Sequence, residues 1–139
     1  MIEFHYETDF QLDDETKFAD WLSRVIYSEA GMLGPIAYIF CSDNYLLELN
    51  KKHLLHDALT DIITFDYSEG KRIGGDIFIS IDRVRENAGI FKTDFDEELL
   101  RVMAHGLLHL FEYTDKSEVG SAEMRGKEDE KIKLFHVEQ

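Results

Sequence analysis

Apolar and polar residues alternate from the start of the chain. Residues 2–7, Ile-Glu-Phe-His-Tyr-Glu, put every second side chain on an apolar face, the period of a half-buried strand. The period then lengthens. Phe18, Leu22, Val25 and Ile26 recur at helical spacing with Trp21 beside them, behind Asp13 or Asp14 as N-cap and ahead of a stop near Gly31. Pro35 opens an apolar run over 36–41 that predicts a buried strand. Ser42 then caps a short helix in which Tyr45, Leu46, Leu49 and His53 recur. Residues 54–60 read as a loop. The β-branched stretch 61–66 predicts a third strand, and 76–80, with Ile77 and Ile79 on one face, a fourth. Between them Gly70, Gly74 and Gly75 predict a hairpin turn over 68–75. Ser80 or Asp82 caps a helix running to about Phe91.

Thr93-Asp94-Phe95-Asp96 resembles a capping box with acid in the first turn, so a long amphipathic helix starts there. Leu99, Met103, Leu107 and Leu110 form its core-facing stripe. Glu98, Arg101, Val102, His105 and His109 fall on a neighbouring sector of mixed polarity. A last helix over 117–134 has only Met124, Ile132 and Leu134 as apolar contacts, and its charge run reads as a solvated face. The order βαβαββ followed by helices predicts one α+β domain over residues 1–139, with four strands and a metal site on the long helix.

That site rests on spacing. His105 and His109, four apart on a helix, share a face and can share one ion. A bare pair at this spacing also describes surface residues or satisfied core groups. The downstream carboxylate of Asp115 and the apolar flanks tip the balance: a turn after the helix can swing Asp115 over the two imidazoles. Because the pair borders the core, its imidazoles are held neutral more readily, and neutral imidazole is the form that binds zinc. Two His and one carboxylate leave a fourth position open, the hydrolytic arrangement. If the helix instead continues, Glu112 projects between the histidines and becomes the third ligand or a base for bound water.

Charge constrains the substrate. With 29 acidic and 15 basic residues the formal net charge is −14, which repels polyanions at long range and argues against a general nucleic-acid binder. A local site is still allowed, and Lys51, Lys52, His53 and His56 make a small basic segment. No run of about 18 apolar residues predicts a membrane span, and the N-terminus lacks a basic region followed by an apolar one. A soluble cytoplasmic protein is expected. The single Cys41 sits in an apolar run, where it reads as a buried inert thiol.

The stretch His105-Gly106-Leu107-Leu108-His109-Leu110, with Tyr113 and Asp115, resembles the motif His-Gly-x-Leu-His-Leu-x-Gly-Tyr-x-[His/Asp] of the YbeY endoribonuclease or rRNA maturation factor family. Two further blocks agree. Thr60-Asp61-Ile62-Ile63-Thr64-Phe65 is similar to the family's Thr-Asp-Val-Leu-Ser-Phe segment, and Gly75-Asp76-Ile77-Phe78-Ile79-Ser80 to its Gly-Asp-Ile-x-Ile-Ser strand. The resemblance covers about residues 45–133. It implies a small cytoplasmic metalloprotein, a four-stranded mixed sheet packed with helices, that binds zinc, cleaves single-stranded RNA and acts in maturation of ribosomal RNA, particularly that of the small subunit. A ribosomal particle or assembly protein would then supply specificity, and bulk positive charge is not required.

Three positions depart from the pattern. Asp115 stands where the family often has His; zinc accepts either, but a carboxylate leaves less positive charge on the ion and raises the pKa of bound water. Glu112 replaces the motif glycine and would be strained if the turn needs positive φ there. The family's Arg ahead of Thr-Asp falls on Leu54, which cannot contact phosphate. The leading expectation is metal-assisted phosphodiester hydrolysis, with one zinc on His105, His109 and Asp115 and with His56 or Lys52 contacting the RNA backbone. One rival is a metallopeptidase-like hydrolase using Glu112 or Glu98 as base, although Gly106 follows the first His where His-Glu-x-x-His proteases carry Glu. The others are a non-catalytic ribosome-assembly module with a structural metal, and a plain acidic domain without one.

Overall fold

A computed structural model describes residues 1–54 and 60–137, with 53 and 54 described by backbone alone. His56, the body of the expected loop at 54–60 and the side chains of His53 and Leu54 therefore lie outside the described residues. The elements run β1 (Ile2–Tyr6), α1 (Glu15–Ser28), β2 (Met32–Cys41), α2 (Asp43–Leu54), β3 (Ile62–Asp66), β4 (Arg72–Ser80), α3 (Ile81–Ile90), α4 (Phe95–Leu110) and α5 (Glu118–His136), in the expected order. The four strands form one mixed sheet in the order β1-β2-β4-β3. The pairs β1·β2 and β2·β4 are parallel, and the hairpin β3·β4 is antiparallel.

The helical stripes explain the packing. Trp21, Leu22, Val25 and Ile26 of α1 and Leu99, Met103, Leu107 and Leu110 of α4 meet Ile36, Tyr38, Phe40, Ile77 and Ile79 of the sheet in one buried cluster. Each such side chain stabilises the fold by about 1.5–3 kcal/mol. A smaller cluster of Cys41, Leu46 and Ile63 lies under α2 on the other face. Burial pushes the Cys41 thiol up to about 12, so it is inert. No helix among the described residues is long and apolar enough to cross a membrane.

Four expectations are corrected. Strand β2 begins at Met32, before Pro35, because a register irregularity between Leu33 and Ile36 absorbs the proline. Strand β4 begins at Arg72, so Gly74 and Gly75 belong to the strand. Gly75 is there because a Cβ would strike the Phe65 carbonyl, and Gly70, at φ 58°, is the turn residue. Helix α1 stops at Ser28, and the left-handed residue after it is Ala30 (φ 61°) rather than Gly31. The charge run of α5 is not wholly solvated: Glu128 and Lys131 are buried, Lys131 completely. The Lys131 ammonium donates to Ser28 Oγ at 2.9 Å, to Glu29 Oε2 at 2.7 Å and to Glu130.

Helix α4 lies close on the sheet at Gly106, where a Cβ would fall 2.7 Å from Ile62 Cδ1 and 2.8 Å from Ile77 Cγ2. Alanine gains about 1 kcal/mol of helix propensity over glycine. Ile77 is fully buried and its Cγ2 is fixed by β-branching, so the clash wins. Gly106→Ala is therefore expected to destabilise by about 1–2 kcal/mol in a denaturant titration. An unchanged or raised stability would show that α4 can lift off the strands freely.

Candidate metal centre

Asp94 starts α4 by accepting from the Glu97 N–H at 2.8 Å, and Asp96, Glu97 and Glu98 place acid in the first turn. The helix ends at Leu110. The Glu112 N–H bonds the His109 carbonyl at 3.0 Å and the Tyr113 N–H bonds the Leu108 carbonyl at 3.2 Å, the pair of reversed bonds that makes a Schellman cap. Glu112 occupies the left-handed position of that cap at φ 71°. The glycine of the resembling motif falls at this position, and Glu bears about 1 kcal/mol of strain by comparison. The cap ends the helix, so the alternative in which Glu112 projects between the histidines is overturned.

The reversal brings Asp115 back over the helix face. His105 Nε2 and His109 Nε2 are 2.9 Å apart, and Asp115 Oδ2 lies 3.6 Å from His105 Nε2. One ligand atom from each of the three residues falls within 4.8 Å of the others. The far side of each ring is fixed. His105 Nδ1 meets Glu128 Oε2 at 2.6 Å, and His109 Nδ1 meets the Tyr113 carbonyl at 3.0 Å. A carboxylate and a carbonyl only accept, so each Nδ1 carries the proton and donates it. In the neutral rings both Nε2 atoms are then lone pairs, aimed at one another and at a carboxylate. Three acceptors converge with no donor among them, and that donor set fits a cation.

Electrostatics around the pair splits its two rings. Burial works against the imidazolium of His105, but the hydrogen bond and charge of Glu128 outweigh it and raise its pKa. For His109, burial and the neighbouring His105 both act to lower it. Glu128 is itself nearly buried and paired with Arg101 Nη1 at 2.9 Å, while Arg101 Nη2 reaches Asp129 at 2.7 Å. Carboxylates that orient ligating imidazoles in this way are common around metal sites.

The other residues flagged in the sequence are scattered. Glu112 lines a separate groove with Glu29, Gly31 and Asp66. Lys52 lines a groove on α2 with Tyr45 and Glu48. Glu98 does border the pocket beside His105, where burial raises its carboxyl pKa. Sequence reasoning missed Glu128 and the Tyr113 carbonyl. A signal for Glu128 existed: Met124, Glu128, Lys131 and Ile132 recur at helical spacing and are the buried residues of α5.

Comparison with known proteins agrees with this architecture. The family model described as Endoribonuclease YbeY matches residues 3–136. A protein named Endoribonuclease YbeY from Flavobacterium psychrophilum is 60% identical over 139 residues, covering 100% of this chain and 99% of the relative. Its namesake from Flavobacterium johnsoniae is 58% identical and covers 100% of both chains. The solution structure of TM1509 from Thermotoga maritima superposes with a TM-score of 0.66 at 27% identity, over 97% of this chain and 89% of that one. With the family model spanning nearly every residue and relatives this similar aligned end to end, the chain belongs to the YbeY endoribonuclease family.

Proposed function

We propose that this chain is a zinc-dependent endoribonuclease of single-stranded RNA, acting in the cytoplasm on ribosomal RNA, chiefly that of the small subunit. In this reading residues 1–139 work as one metalloprotein domain, alone or with a ribosomal particle or its assembly proteins. The observation that carries it is the convergence of His105 Nε2, His109 Nε2 and the Asp115 carboxylate with both Nδ1 atoms already engaged. One zinc ion held there by three protein ligands would supply Lewis acidity, polarising a phosphoryl oxygen and activating water.

The chain's own groups do the rest. Glu128 and the Tyr113 carbonyl fix the imidazole tautomers, and Arg101 holds Glu128 in place. Asp115 is 46% exposed, so the open side of the cluster faces solvent and substrate. His56 stays a candidate for contact with the RNA backbone. Glu112 points into a different groove and is given no step.

The test is zinc content of the purified protein beside His109→Ala and Asp115→Ala, followed by cleavage of a single-stranded RNA. Near-stoichiometric zinc and metal-dependent cutting, both lost in the variants, are expected. Zinc bound without any cutting would replace this reading with the non-catalytic assembly module, and absence of zinc throughout would leave an acidic domain without a metal.

A further inference from the structure

A pocket of about 200 Å³ opens beside His105 and Asp115, between α3, α4 and α5. Two arginines line it. Arg101 is committed to Glu128 and Asp129. Arg125 on α5 is exposed and makes no ion pair or hydrogen bond among the described residues; it acts on the buried Glu98 carboxyl only through its charge. Its guanidinium is thus available to an incoming anion.

The same pocket is lined by Phe91, a residue that is 59% exposed. The backbone at Phe91 is held firmly, as the C-cap of α3 with its N–H bonded to the Asn87 carbonyl at 2.9 Å. Exposing a large aromatic ring to water is unfavourable, and a ring carried on a held backbone at the rim of a pocket can offer its face to a planar ligand. The pocket therefore combines an unpaired planar cation, an exposed aromatic ring and the proposed metal ligands. Its walls also carry the carboxylates of Asp61, Glu98, Asp115 and Glu128, so a bulk polyanion is not attracted and each contact to one must be individual.

Resting on the endoribonuclease reading above, we infer that Phe91 and Arg125 form a nucleotide subsite beside the metal ligands, where the ring stacks on an unpaired base and the guanidinium takes a backbone phosphate. A base held in a duplex cannot present its face to Phe91, so the subsite selects single strands. Arg125 also supplies the phosphate contact that Leu54, in place of the family arginine, cannot make. Affinity resting on one stacked base and one phosphate contact depends only weakly on salt, as an acidic protein requires.

The experiment measures binding of a labelled single-stranded hexanucleotide with phosphorothioate linkages, and of the same strand with its bases removed one at a time. It uses the full chain as purified and the Phe91→Ala, Phe91→Trp and Arg125→Gln variants, with thermal unfolding to confirm that each is folded. Wild type should lose about tenfold in affinity when one particular base is removed. Phe91→Ala should bind about tenfold more weakly and no longer sense that removal, and Phe91→Trp should restore both. Arg125→Gln should flatten the slope of log affinity against log salt by about 0.7. If the wild type cuts ordinary RNA but the variants bind and respond to salt as it does, the subsite is overturned and the nuclease reading stands. If the wild type neither binds nor cuts RNA, both fall.

Discussion

Glu29→Gln is expected to remove about 3 kcal/mol of stability at pH 7 and almost none at pH 2. Glu29 caps the end of α1 and its side chain is only 10% exposed. Burial works to raise its carboxyl pKa. Hydrogen bonds from Lys131, Tyr113 and Lys127, with the charge of Lys131, overcome this and bring it from 4.5 to about 2. A shift of that size corresponds to about 3 kcal/mol at 1.36 kcal/mol per unit. The sign follows from the direction. A carboxyl whose folded pKa is depressed contributes stability that is fully present above its unfolded value, near 4.5, and that is lost as pH falls through about 2. Urea unfolding of both proteins at pH 7 and at low pH checks this: the gap between them should close as the solution is acidified. A gap independent of pH would mean that the substitution acts through packing and that the ion pairs contribute nothing. The glutamine oxygen can still accept the Tyr113 hydroxyl, which Glu29 Oε1 now does at 2.7 Å. Zinc content at pH 7 should therefore match the wild type, because the turn carrying the Tyr113 carbonyl and Asp115 is retained.

Glu29 also shows where the sequence stops being legible. The apolar stripes of α1 and α4 and the order of elements could be read from periodicity alone, because each stripe faces a single core. The pairing of His105 with His109 followed from helix geometry, and the swing of Asp115 from a helix expected to end before it, which it does at Leu110. The helix ends were harder. Helices α1, α3 and α4 are each followed by a left-handed residue, and these are Ala30, Lys92 and Glu112, none of them the glycine that would announce such a cap. Tertiary contacts outweigh the local cost: the turn at Glu112, for example, is held by the bonds of Tyr113 to Glu29 and to His109. The charges of α5 misled for a related reason. Glu128 and Lys131 look like solvent-facing residues until their partners Arg101, His105 and Glu29, between 23 and 102 residues away in sequence, are brought beside them. Gly106 read as a missing catalytic Glu, whereas its role is to let α4 approach Ile62 and Ile77.

The buried carboxylate of α5 gives the second large expected effect. Glu128→Ala should weaken zinc binding by about 10–100-fold, the range seen when an outer partner of a ligating imidazole is removed. The reason is geometric. Glu128 Oε2 takes the Nδ1 proton of His105 at 2.6 Å, which fixes the ring and aims its Nε2 lone pair at His109 and Asp115. Without Glu128 the ring can turn over or carry its proton on Nε2, which then has no lone pair to offer a metal held with His109 and Asp115. Glu128→Gln keeps an oxygen that accepts from Nδ1 but loses the negative charge that makes the ring more basic, so its affinity should fall between those of wild type and Glu128→Ala. A competition titration with a zinc chelator ranks the three proteins. A purely structural role for Glu128 would lower unfolding stability in both variants without that order. Arg101 retains Asp129 at 2.7 Å in either case, so the rest of the α4–α5 contact persists and the affinity reports on the His105 tautomer. Equal zinc affinity for wild type and Glu128→Ala would show that His105 needs no partner on Nδ1 and that Glu128 does not set which of its nitrogens faces His109 and Asp115.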